Sequence, residues 1–360
     1  MKNSAARFST QLFLPTLPRE PVFPSTRYQG SKLKIADWIW ENIRDLHFEI
    51  ALDAFGGTGA VSHLLKRQSK TVFYNDVLVF NYLIGLALIE NHRVTLTESD
   101  IAWLLDTHTQ VRYQDFIQQT FADIFFTDEE NRWLDHVVGN IRALDDKYKQ
   151  ALAYFALFQA CIAKRPYNLF HRRNLYLRTA EVERTFGNKT TWDTPFEEHF
   201  RNYIAEANAG VFDNGKPNVA TQSDVFEIEG EFDLVYVDPP YVSADGVGVD
   251  YLDFYHFLEG IADYEHWADR IDHRLKHKGL IHSRSVWCDK NKIHDAFDRL
   301  FAKFRNSILV VSYRSNGIPS VGELTFLLQK YKGSVLEAER TDYQYVLSRK
   351  ASQEVLLIAR

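Results

Sequence analysis

The residues best placed for chemistry form one tetrapeptide, Asp238-Pro239-Pro240-Tyr241, which directly follows the apolar run Phe232 to Val237. That run reads as a buried strand, and the two prolines stop it because they have no N–H to donate and a fixed φ. Asp238 is therefore expected at the carboxyl end of a strand, the edge where open α/β sheets bind ligands. Pro240 restricts Pro239 to extended backbone, which holds the carbonyls beside Asp238 in fixed directions. The result is an acceptor pair beside an aromatic face. A plain strand-ending turn with a solvated Asp is the alternative, so the rest of the chain has to decide.

Two other segments carry residues suited to the same edge. In Ile50-Ala-Leu-Asp53-Ala-Phe55-Gly56-Gly57-Thr58-Gly59 a short apolar strand enters a glycine-rich turn, and Ala60 to Arg67 reads as the helix that follows. The spacing lacks the full dinucleotide fingerprint, and no Lys-Ser/Thr follows as in a P-loop, so a phosphate cradle is disfavoured. Thr71 to Tyr74 reads as the next strand. It ends at Asn75-Asp76, about 20 residues past the glycines, where a carboxylate can accept from ribose hydroxyls. A nucleoside without phosphates fits this unit. Upstream, Arg27-Tyr28-Gln29-Gly30-Ser31-Lys32 is a turn leading into an amphipathic helix from Leu33 to Asp45. Gly30 allows close backbone approach and Lys32 adds a point charge, so a carboxylate of a ligand can dock there.

The elements around these segments define the bounds. At 360 residues the chain is long enough for one elaborated domain or two. A formal net charge of -6 excludes a generally basic nucleic-acid coat, so an anionic partner must meet a local patch. No stretch approaches 18 apolar residues and the N-terminus lacks an apolar leader, which predicts a cytoplasmic protein with no membrane contact. Cys161 and Cys288 show neither metal-ligand nor disulfide spacing and read as buried structural residues. His273 and His277, one helical turn apart, have no convergent ligands, so no metal is expected.

Residues 1–26, with Pro15, Pro18, Pro21 and Pro24, read as an irregular arm. The roughly 150 residues between Asp76 and Asp224 exceed any ordinary connection, so they should contain an inserted, mainly helical domain, assigned to 93–220 between catalytic segments 27–92 and 221–360. Between Asp76 and Asp224, Asn81 to Asn91 and Lys149 to Ala163 read as helices. Then Lys164, Arg165, Arg172, Arg173 and Arg178, interleaved with Tyr167, Phe170 and Tyr176, make a basic platform suited to phosphates and stacked bases. Four arginines there would give a salt slope near about -4. Asn188 and Lys189 add groups that read base edges or position phosphates. Beyond Tyr241 the Val242 to Val249 segment looks mobile, Tyr264 to His277 looks helical, and Leu280 to Val286, Ser307 to Arg314 and Glu354 to Ile358 read as strands.

The order Tyr28-Gln-Gly-Ser-Lys32, Asp53-Ala-Phe-Gly-Gly-Thr-Gly59, Asp76, Asp224 and Asp238-Pro-Pro-Tyr241 resembles the alpha-order, Dam-like N6-adenine DNA methyltransferases over nearly all of the chain beyond the arm. The resemblance implies a Rossmann-like α/β sheet with helices on both faces and a target-recognition insert. It implies S-adenosylmethionine as cofactor, held by Tyr28, Gly30, Lys32, Asp53, Phe55, Gly57, Gly59, Asp76 and Asp224, with Lys32 near its methionine end and Asp224 at its adenine. Asp238, Pro239, Pro240 and Tyr241 become the catalytic residues, Tyr241 stacking on an adenine flipped out of duplex DNA. Ala54 and Thr58 depart from the family's commoner turn but leave Phe55, Gly57 and Gly59 in place. A separate restriction endonuclease is the partner such a system suggests. N4-cytosine methylation, an RNA adenine substrate, and a catalytically silent cofactor- and DNA-binding module are the competing readings. The Asp at 238, rather than Ser, ranks adenine above cytosine.

Overall fold

The computed structural model describes residues 21–180, 189–340 and 353–360. Nine strands occur among them: β1 Ile50–Asp53, β2 Thr71–Asp76, β3 Val219–Gln222, β4 Leu234–Val237, β5 Val242–Ser243, β6 Ile308–Arg314, β7 Gly317–Ile318, β8 Val335–Arg340 and β9 Glu354–Ala359. Seven make one sheet in the order β3-β2-β1-β4-β6-β9-β8, while β5 and β7 pair as a ribbon. The first five of that order are parallel, and β9 runs antiparallel between β6 and β8.

The central strands are short and apolar because both their faces are covered. Ala51, Leu234, Tyr236, Val310 and Ile358 point into one core, and Leu52, Val235, Val237, Leu309 and Leu357 into the other. Helices Ala60–Arg67, Val79–Gly85, Lys147–Ala163 and Tyr251–Ala262 pack the first core, and Ile293–Lys303 and Val321–Gln329 the second. This is the Rossmann-like sheet with helices on both faces that the sequence implies. Leu33–Ile35 forms a 3-10 turn before the helix Ala36–Ile43, and Ser25 anchors the end of the arm by donating to Glu206 at 2.7 and 2.6 Å. No helix among the described residues is long and apolar enough to cross a membrane.

Between β2 and β3 the described chain is helical, but these helices have no separate core. Phe126, Leu157, Phe158 and Phe200 join Val72 and Tyr74 of β2 in one cluster. The expected boundary at residue 220 falls inside β3, whose Val219 and Ala220 already pair with Phe73 and Tyr74. Three expectations downstream are corrected. Of Tyr264 to His277 only Trp267–Arg270 is helical. Asp272 breaks the run, since its carboxylate accepts from the Arg274 backbone at 3.0 Å and from its guanidinium at 2.8 and 2.7 Å, while its own N–H donates to Gly279 O at 2.7 Å. Leu280 to Val286 keeps a single bridge, Ile271 to Leu280, because β6 occupies the place beside β4. The segment after Tyr241 is pinned: Val242 and Ser243 pair with Ile318 and Gly317, and the Cys288 thiol donates to Val249 O at 3.0 Å.

The basic platform is also corrected, because three of its five cations are structural. Lys164 is 2% exposed and donates to Trp192 O at 2.8 Å and Thr194 O at 2.5 Å, beside Glu130 at 3.0 Å. Arg178 forks onto Glu130 at 2.9 and 2.6 Å. Arg165, 1% exposed, donates to Leu169 O and Arg172 O at 3.0–3.2 Å and lies over the Phe125 ring at 4.4 Å. A guanidinium can be buried in this way because backbone carbonyls satisfy its N–H groups. Arg172, Arg173 and Lys189 are exposed, Lys189 pairing with Asp193 at 2.8 Å, and Asn188 lies outside the described residues. Arg165→Ala should therefore orphan those carbonyls and destabilise the fold by about 3 kcal/mol. Denaturant unfolding checks this, and an unchanged midpoint would show that the carbonyls find other donors.

Candidate active site

Strand order reverses between β1 and β4, and the carboxyl ends of β1, β2 and β4 carry Asp53, Asp76 and Asp238. Such a switch point leaves a crevice beyond the strand ends. A cavity of about 610 Å³ lies there, within the usual range for small-ligand sites. Of the sequence-predicted residues it is lined by Tyr28, Phe55, Gly57, Asp76, Asp224, Asp238, Pro239 and Pro240. Gly30, Lys32, Asp53, Gly59 and Tyr241 lie outside this lining.

Each acid is held by short local bonds. Asp76 accepts from Gly57 N at 2.9 Å, Leu78 N at 2.9 Å and Asn81 Nδ2 at 3.1 Å, so it braces the glycine turn from β2. Burial pushes its carboxyl above the usual range, against those bonds. Asp53 is 1% exposed; Oδ2 accepts from Ser62 at 2.7 Å, and Oδ1 is buried without a hydrogen-bond partner. Burial first, then neighbouring Asp238 and Asp76, push Asp53 up to about 7. Asp224 is exposed and turns the chain by accepting from Phe226 N at 2.9 Å.

The glycines divide by what they face. A Cβ on Gly57, at φ +51°, would meet only Phe55 O at 3.9 Å and would point into open space, whereas one on Gly56 would strike the Tyr74 ring at 2.1 Å. Gly57 is thus open to a ligand and Gly56 is fixed by packing. Gly30 serves packing too, since its Cβ would lie 2.3 Å from the Tyr251 hydroxyl. Tyr28 stacks on Tyr255 at 4.5 Å and on Tyr251 at 5.5 Å, which secures the turn against the helix Tyr251–Ala262.

Lys32, expected near a methionine carboxylate, reaches the Asp238-Pro-Pro-Tyr241 segment. Its amine, 5% exposed, lies 2.8 and 2.7 Å from the two oxygens of Asp238 and donates to the Tyr241 hydroxyl at 2.8 Å. That hydroxyl in turn donates to Asp238 at 2.5 Å, and the half-buried Tyr241 ring meets Tyr313 edge-on at 5.0 Å. Asp238 thus has a cation and a phenol behind it while it borders the cavity in front.

Sequence reasoning missed several residues. Glu259, 3% exposed, accepts from Val79 N and Phe80 N at 3.1 Å, and burial pushes it up to about 7. Its signal was an acid inside the apolar run His256 to Ile261. Trp287, edge-on to Phe55 at 5.0 Å and stacked with Phe226 at 5.8 Å, gives the cavity an aromatic wall. Glu354, fully buried, left no signal beyond its place at the head of an apolar strand. Asp250, Asp253 and His282 offer ligand atoms within 4.8 Å of one another, but the two His282 ring nitrogens face Asp253 at 2.9 Å and Ser283 O at 3.0 Å, the arrangement of a doubly protonated ring.

The Asp253 bond, with Ser283 O and Asp250 adding to it, outweighs burial and raises His282 from 6.5 to about 9. A raised folded-state value means that this latch contributes fully below about pH 6.5 and is lost as pH rises through about 9. The stability difference between the native chain and His282→Asn, followed by thermal unfolding, should shrink across that window. A pH-independent difference would show that the ring acts by packing.

The family model for D12 class N6 adenine-specific DNA methyltransferases matches residues 28–317. Over 342 residues the chain is 30% identical to Type II methyltransferase M2.HphI of Haemophilus parahaemolyticus, covering 93% of this chain and 96% of that protein. It is 24% identical over 326 residues to Type II methyltransferase M.FokI of Planomicrobium okeanokoites, covering 85% of this chain but 47% of that longer protein. Type II methyltransferase M.NlaIII of Neisseria lactamica is 23% identical over 320 residues, covering 84% and 88%. With the strand-end carboxylates of Asp76 and Asp238 lining one cavity and a match along most of its length, the chain belongs to the D12 class of N6 adenine-specific DNA methyltransferases.

Proposed function

We propose that the chain methylates the N6 exocyclic amine of an adenine extruded from duplex DNA, at a specific sequence, as the modification arm of a restriction–modification system. The observation that carries this reading is Asp238, fixed by Lys32 and Tyr241 at a cavity that Phe55 and Gly57 of the glycine turn also line. S-adenosylmethionine, when bound, supplies the electrophilic methyl group. The residues present fit it. Asp76 has about one acceptor position left for a ribose hydroxyl. Asp53 Oδ1 offers an unused buried acceptor to an ammonium. Phe55 and Trp287 offer apolar faces to a purine, and Asp224 lies at that wall.

The target amine donates its protons to Asp238 and to the Pro239 carbonyl, which directs the nitrogen lone pair toward the methyl group. Positive charge develops on that nitrogen, the carboxylate stabilises it, and after transfer the amine gives one proton to solvent by way of Asp238. The half-buried Tyr241 ring stacks on the base. No covalent enzyme intermediate is needed, and both cysteines suit that: Cys161 and Cys288 are buried, with thiols pushed well above their usual range by burial. Target recognition is assigned to the helical span between β2 and β3, with Arg172, Arg173 and Lys189 among its exposed cations and Tyr167 and Tyr176 as exposed aromatics.

DNA treated with the enzyme and digested to nucleosides should yield N6-methyl-2′-deoxyadenosine by mass spectrometry; N4-methyl-2′-deoxycytidine or no product would remove the reading. Asp238→Asn keeps the shape but loses the charge, so single-turnover methylation should slow roughly 10²–10³-fold while cofactor and DNA affinities change far less. A near-normal rate would deny Asp238 its role. With Arg172 and Arg173 the exposed arginines of the platform, Arg172→Ala with Arg173→Ala should flatten the salt dependence of DNA binding by about 2 in slope. An unaltered slope would place the DNA contact elsewhere.

A further inference from the structure

Glu354 is the most deeply buried acid next to the catalytic residues, and it comes from the opposite end of the chain. It is the first residue of β9, which runs antiparallel to β6 and so starts where the parallel strands end. That places its side chain at the catalytic edge. It is 0% exposed, accepts from the Ser312 hydroxyl on β6, and has Oε1 at 3.4 Å from the Tyr241 hydroxyl and 3.7 Å from the Lys32 amine. One ammonium is therefore faced by two carboxylates, Asp238 at 2.7 Å and Glu354 at 3.7 Å. A buried acid beside a second acid is costly, and hydrophobic residues fill the rest of β9 without cost, so the strand alone does not account for it.

We propose that Glu354 is a positioning residue of the methyl-transfer site: by drawing on the Lys32 ammonium and the Tyr241 hydroxyl from behind, it leaves Asp238 more negative charge for the substrate amine and for a cationic methyl donor. This rests on the functional reading above. If Asp238 met Lys32 with no competing acid, the ammonium would neutralise it more fully. Ser312 fixes the Glu354 carboxylate and keeps it from displacing Asp238. The effect reaches the donor as well. S-adenosylmethionine carries a sulfonium charge that its product, S-adenosylhomocysteine, lacks, so a more negative site favours donor over product. Glu354 thereby also assists release of the spent cofactor.

Calorimetric titration of the full chain with each of the two compounds measures this preference without any turnover. Glu354→Gln, which keeps the shape, should lower the ratio of donor to product affinity about tenfold and slow single-turnover methylation by a similar factor. Glu354→Asp, which keeps the charge, should hold the ratio near the native value. Lys32→Gln removes the opposite charge and should move the ratio the other way, and the double change with Glu354→Gln should bring it back. That last pair isolates Glu354 even where Glu354→Gln alone does not fold. Equal loss of both ligands in Glu354→Gln, or a Glu354→Asp ratio as low as that of Glu354→Gln, would overturn the proposal and reduce Glu354 to a packing role. A native chain that binds neither compound would instead overturn the cofactor reading itself.

Discussion

The contact on which the active edge depends is the partly buried pair of Lys32 and Asp238, residues 206 positions apart in the chain. Lys32 precedes the first helix of the domain, and Asp238 ends the strand at the centre of the sheet. Neither charge is tolerable at such burial alone, because desolvation of an unpaired ion is worth several kcal/mol. The pair forms only when the Tyr28 turn is stacked on Tyr251 and Tyr255 and when β4 lies between β1 and β6. Folding of the N-terminal turn and assembly of the site are thus one event.

The same edge gathers acids that burial would rather keep neutral. Asp53 and Glu259 are both raised to about 7, and Asp76 is raised although three donors hold it. Backbone N–H groups at the glycine turn and at the start of the helix Val79–Gly85 offset part of the cost. What remains unsatisfied, such as Asp53 Oδ1, is local destabilisation kept at the strand ends.

The cations of the helical span show the opposite use of charge. Lys164 and Arg178 converge on Glu130, and Arg165 gathers the carbonyls of a loop that contains Tyr167 and Asn168 at φ +62° and +59°. The buried guanidinium fixes an irregular turn, and that turn holds Arg172 and Arg173 outward. Residues that look alike in the sequence are therefore scaffold in one case and surface in the other.

By itself the sequence determined the parts of the fold that are local or periodic. Apolar runs ended by Asp located β1, β2 and β4, short continuous apolar runs located β6 and β9, and the glycine turn with Asp76 marked the ligand edge, because strand patterning and turn chemistry act over a few residues. What only the tertiary structure decided depends on neighbours distant in the chain. The run Leu280 to Val286 has strand-like residues but no free sheet edge, Asp272 ends a helix by bonding to residues up to seven positions on, and five similar cations split according to which carbonyls and carboxylates reach them. Glu354 is the clearest case. Its position at the start of a strand is legible, but its place beside Lys32 follows from β9 running antiparallel to β6, and strand direction is set by the packing of the whole sheet.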